Sequence, residues 1–402
     1  MMIRWIKAGL KNRGVFQIML TVFAVVPCIL PEPVLADELR LEWRALDAPN
    51  DQSCKAVLFE QPRGIAIDRE GNIYVTNEKG GNAIQKISAD GTIATLLDRG
   101  GRSTKGQSYV HLSLAIDRNG GIIMGVGGRG TIEQLGKDGV LTVLAGQPGK
   151  KGIVDGPSDK AKFKAIAAVA MGPQGDIYVA DSRTIRRLST DGVVTTLAGD
   201  DHAKADYADG QGRAAAFGIP KGIVVDDTGD IFVADGSNRE GEEGRHSSFG
   251  LVRKMDQAGR VTSIAGDMDA DGGSLDGKGV NAAFTELFGI AMDAGNNLFV
   301  TEDFDVSRFH VRKISPLLDV TTILNARELA GFEKDRDGSD PALHEPTGIA
   351  VDSSGTPYFV DTGGNKLHRI DKQAHITQVY PERYSDAYVT TLCALVTSAT
   401  SP

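Results

Sequence analysis

The stretch DIYVADSRTIRRLSTDGVVTTLAGD, residues 176–200, holds three short runs of Val, Ile, Tyr and Leu separated by Asp, Gly and Ser. Nearly the same phrase returns at 230–267, which begins DIFVADGSN and ends GRVTSIAGD. Short runs of β-branched and aromatic residues bounded by Gly, Asp or Asn indicate strands joined by hairpins. The stretch therefore predicts an antiparallel sheet that the chain builds more than once.

A second phrase, small-Gly-aliphatic-Ala-aliphatic-Asp, marks the start of each repeat. Its spacings along the chain are 49, 55, 54, 67 and 59 residues, a period typical of stacked or radially arranged units. The copies are RGIAID (63–68), LSLAID (112–117), AAVAMG (167–172), KGIVVD (221–226), FGIAMD (288–293) and TGIAVD (347–352).

Each copy contains four strand-like runs, as in GIVVD, IFVAD, LVRKM and VTSIAG of the fourth. A four-stranded sheet has two apolar faces and cannot cover both alone, so the sheets pack face to face around an axis. Because a β-solenoid has shorter repeats and no hairpin turns, the sequence predicts an all-β, six-bladed β-propeller of four-stranded antiparallel blades over 61–380.

The phrases GIAIDREGNIYVTN, VADSRTIRRLSTDGVVTTLAG and FGIPKGIVVDDTGDIFVAD resemble NHL repeats. The resemblance covers about residues 60–380. It implies a six-bladed propeller related to the gluconolactonase-like and amidating-lyase propellers. Propellers of this kind include binding proteins, lyases and lactonases, so the resemblance specifies the fold and leaves the activity open.

Residues 1–36 have the pattern of an export signal. Arg4, Lys7, Lys11 and Arg13 precede an apolar run at 15–30, and the segment ends in Val-Leu-Ala at 34–36. The run is shorter than the roughly 20 residues of a membrane-spanning helix. We expect cleavage, a secreted or periplasmic protein and no membrane span afterwards; the alternative is an uncleaved anchor.

The net charge is −9, and loss of residues 1–36 removes four basic residues and one acidic residue, leaving 40 against 52, or −12. Such a surface repels nucleic acid. We expect a monomer whose partner is a protein, a glycan or a small polar ligand.

The two ends of the predicted propeller carry one cysteine each. A disulfide between Cys54, in an N-terminal extension at 37–60, and Cys393, in a C-terminal segment at 381–402, would join the ends of a closed ring; two separate thiols are the alternative. The phrase DAYVTTLCALV (386–396) resembles an outer strand, so we expect the C-terminal segment to pack on the N-terminal region around Cys54.

The second strands end at one mouth of the ring, which is the face that most propellers use for ligands. Acidic or polar side chains there, beside Arg63 and Lys221 at the start of inner strands, either bind a polar ligand or cation, or cap the backbone N–H groups of their own loops. The predicted ligand-binding residues are Arg63, Asn77, Asp181, Lys221, Asp235, Glu302 and Asp361; the remaining strand end is Val126.

Long connections between blades share Asp-Gly and Ala-x-Phe, and Phe163, Phe217 and Phe284 are expected to pin them into apolar seams. One connection also has the D-x-D-x-D-G spacing that lets alternate carboxylates bind one hard cation. An EF-hand has Glu at its twelfth position, where this chain has Lys278, so the loop is not an EF-hand. We predict that it binds Ca²⁺ or another divalent metal. The alternative is a solvated acidic loop without a bound metal. The predicted ligands are Asp267, Asp269, Asp271 and Asp276.

Few side chains in the sequence are placed so that they could act together in catalysis, and no catalytic residue is assigned. His310 alone occupies the position where the resemblance to amidating lyases implies zinc-binding histidines. The resemblance to gluconolactonases implies a metal held by residues such as Glu60, Asn77 and Asp235 or Asp181. The sequence therefore favours an exported binding or interaction scaffold, with a metal-dependent lactone or ester hydrolase as the alternative.

Overall fold

A computed structural model describes residues 59–78, 83–97, 112–203, 207–240, 246–267, 273–303, 309–325, 343 and 345–380. These residues belong to one compact unit, Ala48–Pro402. The expected signal segment, the cysteines Cys54 and Cys393, and the C-terminal segment at 381–402 lie outside the described residues.

The described strands form six antiparallel sheets, each from consecutive segments of the chain. From the axis outward, the four main strands of each blade are as follows. Blade 1 is β1 (Pro62–Ile67), β2 (Ile73–Asn77), β3 (Ile84–Ile87) and β4 (Ile93–Leu97); blade 2 is β5 (Leu112–Ile116), β6 (Ile122–Val126), β7 (Thr131–Leu135) and β8 (Leu141–Ala145); blade 3 is β10 (Ile166–Met171), β11 (Ile177–Asp181), β12 (Thr184–Leu188) and β13 (Val193–Ala198); blade 4 is β15 (Ile219–Val225), β16 (Ile231–Glu240), β17 (His246–Met255) and β18 (Arg260–Ala265); blade 5 is β20 (Glu286–Met292), β21 (Leu298–Asp303), β22 (Phe309–Ile314) and β23 (Asp319–Asn325); blade 6 is β24 (Pro346–Val351), β25 (Pro357–Asp361), β26 (Lys366–Ile370) and β27 (Ile376–Tyr380).

The inner strands form a closed ring. They are neighbours in the order β1, β5, β10, β15, β20 and β24, and β24 returns to β1. At this return the Thr362 hydroxyl donates to the Pro62 carbonyl oxygen at 2.6 Å. The predicted six-bladed β-propeller is therefore confirmed.

Apolar side chains fill the six spaces between blades. Each described cluster draws on two neighbouring blades: Ile123 and Ile132 of blade 2 pack with Val169 and Val179 of blade 3. The last cluster joins Val75 of blade 1 to blade 6 in the same way. Every blade thus covers one face on each neighbour, which is the packing that the repeat predicted.

The Asp that ends the inner-strand phrase has a local structural role. Asp68 Oδ1 accepts hydrogen bonds from the backbone N–H groups of Glu70 (3.1 Å) and Asn72 (2.8 Å), which closes the turn between the first two strands. Asp117, Asp226, Asp293 and Asp352 accept the corresponding pair in their own blades. The repeated phrase is a hairpin signal.

Blades 3, 4 and 5 carry a fifth, two-residue strand that the sequence did not predict. It pairs with the outer strand of the blade: β9 (Gly156–Pro157) with β13, β14 (Gly210–Gln211) with β18, and β19 (Gly277–Lys278) with β23. It belongs to a connecting segment, here called the strap, at 154–163, 208–217 and 275–284. Each strap ends in a fully buried ring, Phe163, Phe217 or Phe284.

A buried arginine on the third strand fastens each strap. Arg186 Nη1 donates to the Lys162 carbonyl oxygen (2.6 Å) and to Asp181 (3.0 Å). Its Nη2 donates to the Val154 carbonyl oxygen (2.7 Å) and to Asp155 (2.8 Å). One guanidinium therefore ties together the strap, the second strand and the third strand, and we call this contact set the arginine staple.

The staple is repeated with the same geometry in the next two blades. Its guanidinium lies 4.7–5.2 Å from the centroid of the strap phenylalanine in all three. Arg253 contacts Ala208, Asp209, Ala216 and Asp235, and Arg312 contacts Leu275, Asp276, Ala283 and Glu302.

Replacement of one staple should be far more costly than replacement of its neighbour on the same strand. Arg253→Met removes the donor of two strap carbonyls and the charge partner of the buried Asp235, so we expect the free energy of unfolding to fall by about 3 kcal/mol. Lys254→Met removes a partly exposed 2.7 Å pair with Asp230 and should cost about 0–1 kcal/mol. Urea denaturation measures both; equal losses would contradict the staple's role.

A pH dependence should also be detectable at this staple. Burial raises the pKa of Asp235 to about 7, against the opposing charge of Arg253. Since the unfolded carboxyl titrates near pH 4, this group's contribution to stability is full below about pH 4 and falls as the pH rises toward 7. Asn at position 235 cannot titrate. The unfolding free energy of the wild type minus that of Asp235→Asn should therefore fall between pH 4 and 7 and stay constant from pH 7 to 8. A difference that is constant with pH would contradict this assignment.

Candidate functional site

The structure brings the six predicted strand-end residues to equivalent places at one mouth of the ring. All six are at most 4% exposed. Asp181 Oδ1 accepts from the backbone N–H groups of Lys164 (2.9 Å) and Ala165 (2.7 Å). Glu302 and Asp361 likewise accept from the N–H groups of Thr285 and Glu345. These acids cap the chain just before the inner strands of blades 3, 5 and 6; ligand binding by them stays a prediction.

One position on the third strand of each blade was not singled out from the sequence. It holds Gln85, Glu133 and His368 in blades 1, 2 and 6, in the register that holds arginine in the staples. His368 is stacked on Phe359 with 5.2 Å between ring centroids. Burial, helped by the charge of Lys366, lowers the pKa of His368 to about 3. The signal for these positions is their register in the repeat, which an alignment on the third strand would have found.

Partly exposed charges lie nearer the axis. Arg63, at the start of β1, has its Nε 3.0 Å from Glu78 and its Nη2 3.4 Å from Glu345 of blade 6. The Arg63 side chain is 27% exposed. The predicted site residue Arg63 thus pairs with carboxylates that the sequence reasoning did not include.

Lys221, at the start of β15 in blade 4, has a similar environment. Its Nζ pairs with Glu286 of blade 5 and lies 4.0 Å from the centroid of the Phe288 ring. The Lys221 and Glu286 side chains are 21% and 23% exposed. Glu286 and Phe288 were also missed: Glu286 precedes the repeated phrase at 288–293, and Phe288, the first residue of that phrase, was read only as part of the repeat.

These residues define what we call the mouth cluster. Blades 1 and 4 are opposite in a six-membered ring, so the two cations approach the mouth from opposite sides, each paired with a carboxylate of a neighbouring blade. Charges held at such partial exposure interact more strongly than they would in bulk water. Ligand binding by Arg63 and Lys221 stays a prediction. It consists of Arg63, Glu78, Lys221, Glu286, Phe288 and Glu345.

The predicted calcium loop is described only at its ends. Asp269 and Asp271 lie outside the described residues, and Asp267 is the last described residue before them. Asp276 is the strap acid of blade 5, accepting from Arg312 and from the Thr322 hydroxyl. Burial opposes ionisation, yet the Thr322 hydrogen bonds and the Arg312 charge hold the pKa of Asp276 below its usual value. A metal at this loop stays a prediction.

His310 lies on β22 with its Nδ1 3.9 Å from Glu302. Burial lowers its pKa, which favours the neutral imidazole. Within the described ranges no three His, Cys, Asp or Glu side chains are grouped as metal ligands. The same ranges contain no helix of sufficient length and apolar character to cross a bilayer.

A family model described as "Beta-propeller repeat" matches residues 61–76, the first hairpin of blade 1. Among curated proteins, teneurin-3 of Danio rerio is 26% identical over 217 residues, which is 44% of this chain and 8% of that protein. Protein SUPPRESSOR OF QUENCHING 1, chloroplastic, of Arabidopsis thaliana is 23% identical over 278 residues, which is 63% of this chain and 25% of that protein. The chain thus spans a minor part of either relative.

Several solved structures share the architecture. A protein of unknown function from Bacteroides thetaiotaomicron superposes with a TM-score of 0.52 at 15% identity, over 80% of this chain and 72% of that one. Virginiamycin B lyase of Staphylococcus aureus (TM-score 0.48, 16% identity, 81% and 86% coverage) and a gluconolactonase of Xanthomonas campestris (0.48, 13%, 80% and 87%) are further neighbours. At these identities the likeness concerns the fold alone. The chain is a six-bladed β-propeller with a β-propeller repeat in its first blade.

Proposed function

We propose that the protein is an exported binding scaffold that recognises a polar ligand, whether protein, glycan or small molecule, at the mouth cluster. The observation that carries this proposal is the division of charges at the mouth. The strand-end acids are buried and accept from backbone N–H groups, and three of them also accept from arginine, whereas Arg63, Lys221 and their carboxylates remain 13–36% exposed.

The physical basis of the proposed binding is that a ligand can exchange with one member of an ion pair at the mouth. A polar ligand can replace one member of a partly exposed ion pair without leaving a buried charge alone, whereas displacing a staple would leave one. Phe288 adds an apolar ring beside Lys221, which suits ligands that combine a charged group with a flat or aliphatic surface. Binding residues are commonly found on segments that a rigid scaffold positions, as the ring does here.

Export is part of the proposal and rests on residues 1–36, whose basic start, apolar run and Val-Leu-Ala ending are typical of a cleaved signal. We therefore propose a secreted or periplasmic location, and we propose separately that the protein is a monomer. The Cys54–Cys393 disulfide is proposed on the same ground, since such a location is oxidising. A divalent metal, Ca²⁺ first, is proposed to be bound by Asp267, Asp269, Asp271 and Asp276.

The partial exposure of the Arg63 and Lys221 pairs favours a scaffold over the hydrolase alternative. Asn77 and Asp235, two residues that the gluconolactonase resemblance implies as metal ligands, are buried in blades 1 and 4. Asp235 contacts Arg253 and the Gly218 N–H group. Asn77 Oδ1 and Asp235 Oδ1 are buried without a hydrogen-bond partner among the described residues, so the turnover test below decides whether they hold a metal.

Ligand binding should require the mouth cluster. It should not change when a comparable lysine–carboxylate pair at the other end of the ring is removed. The mature protein is screened on arrays of oligosaccharides and of peptides, and affinities for the hits are measured by calorimetry. Lys221→Ala should weaken binding at least tenfold. Lys254→Ala, which removes a lysine also paired with a carboxylate and placed near a phenylalanine ring, should leave affinity within twofold.

Two results would contradict the proposal. One is that hits bind the Lys221→Ala and Arg63→Ala proteins as tightly as the wild type. The other is metal-dependent turnover of a lactone or ester panel that is lost in Asp235→Asn, which would establish the hydrolase instead.

A further inference from the structure

Blade 4 carries an extension that the other described blades lack. Its second and third strands have ten residues each, whereas β2, β6, β11 and β25 have five and β21 has six. The added residues remain paired beyond the ring, from Gly236 opposite Gly250 to Glu240 opposite His246. We call these residues, 236–240 and 246–250, the arm. They account for the spacing of 67 residues between the fourth and fifth repeats.

The arm rises from the mouth end and has a free edge toward the axis. The inner strand β15 starts at Ile219, opposite Gly236. Above that pair β16 has β17 as its one partner strand among the described residues, so no described strand pairs with the edge of 237–240 that continues the line of β15, and we call this the free edge.

The backbone groups on this edge can be assigned. The Gly236 carbonyl oxygen accepts from the Tyr207 hydroxyl at 2.8 Å. It also lies beside Gly218, where an added Cβ would come within 2.7 Å of it, so it faces the β15 side. Because backbone groups alternate sides along a strand, Asn238 and Glu240 direct their N–H and C=O groups to the same free edge.

The base of this edge is continuous with the mouth cluster. Ile219 is 43% exposed there. A Cβ at Gly236 would lie 3.8 Å from the Glu286 side chain and 3.4 Å from the Leu287 carbonyl oxygen. A chain running along the free edge would therefore pass from the arm over an exposed aliphatic residue to the Lys221–Glu286 pair.

From this geometry we infer that the ligand is an extended polypeptide segment, which docks as an added strand on the inner edge of the arm and reaches the mouth cluster. This inference rests on the proposed function and names its ligand class. Alternating N–H and C=O groups at strand spacing match another peptide backbone, and main-chain pairing of this kind is a recurring mode of peptide recognition. Sugars lack that regular alternation.

The experiment selects peptides from a phage-displayed random dodecapeptide library on the full chain and measures the affinity of the best synthetic peptide. Asn238→Pro removes one edge N–H and lies on the free edge, so it should weaken binding at least tenfold. Asn238→Ala changes the side chain and keeps the N–H, so it should leave affinity within twofold. Circular dichroism and thermal unfolding check that both variants keep the fold.

A shortened arm gives an independent readout. Asp235 is opposite Leu251 as Asp181 is opposite Thr184 in blade 3, where two residues join the strands. Replacing 236–250 by Ser-Arg, the pair found in blade 3, should keep the staple residues and abolish binding of the selected peptide.

The outcomes separate the inference from the proposed function. Peptide binding that is lost in Lys221→Ala but unchanged in Asn238→Pro and in the shortened protein overturns docking on the arm and leaves the mouth cluster as the site. Failure to select any peptide, or equal effects of Asn238→Ala and Asn238→Pro, also overturns the inference. Dimerisation that is lost on shortening, seen by sedimentation, would assign the edge to a second copy and overturn it too.

Discussion

Each blade of this protein has two apolar faces, and only a neighbouring blade can cover either of them. The described apolar clusters follow this rule without exception, since each is shared by two consecutive blades and the last joins blade 6 to blade 1. Removal of apolar surface from water is the dominant favourable term in such packing. Closure of the ring is therefore a condition for the stability of every blade, and it fixes which strand ends meet at the mouth.

Within that ring, charged residues have two separate roles. The arginine staples hold straps in three successive blades, where both terminal nitrogens of each guanidinium donate to carbonyl and carboxylate oxygens. Such buried pairs are costly to break and poorly suited to exchange with a ligand. The pairs around Arg63 and Lys221 are partly exposed, so recognition is proposed for them and for the arm beside them.

The repeat made the architecture predictable. A period of 49–67 residues and a four-run pattern in each copy are properties of the sequence itself, and they specified six blades. The burial of Phe163, Phe217 and Phe284 also matched the expectation for the Ala-x-Phe straps. The staples were missed, although the arginines stand in the repeated runs TIRRL, LVRKM and FHVRK, because their partners lie about 30–45 residues earlier and no local pattern connects them.

At the mouth, sequence reasoning found Arg63 and Lys221 and missed the carboxylates that pair with them. Two of those pairs form across blade boundaries, between residues separated by 65 positions for Lys221 and Glu286 and 282 for Arg63 and Glu345, whereas Glu78 lies in the same blade as Arg63. The long spacing of the fourth repeat was visible, yet its extra residues could be placed in the arm only once the pairing of β16 with β17 was known.

The central claim, that blade 6 packs against blade 1 to close the ring, is tested most directly by the unfolding free energy of Gly348→Ala. A Cβ at Gly348 would overlap the Arg63 carbonyl oxygen of the neighbouring inner strand, and Ile65 lies behind it. The account predicts a loss of about 2 kcal/mol or more, against almost none for Gly273→Ala, where a Cβ meets no atom within 4 Å. Equal stabilities of the two variants would contradict closure of the ring at this interface.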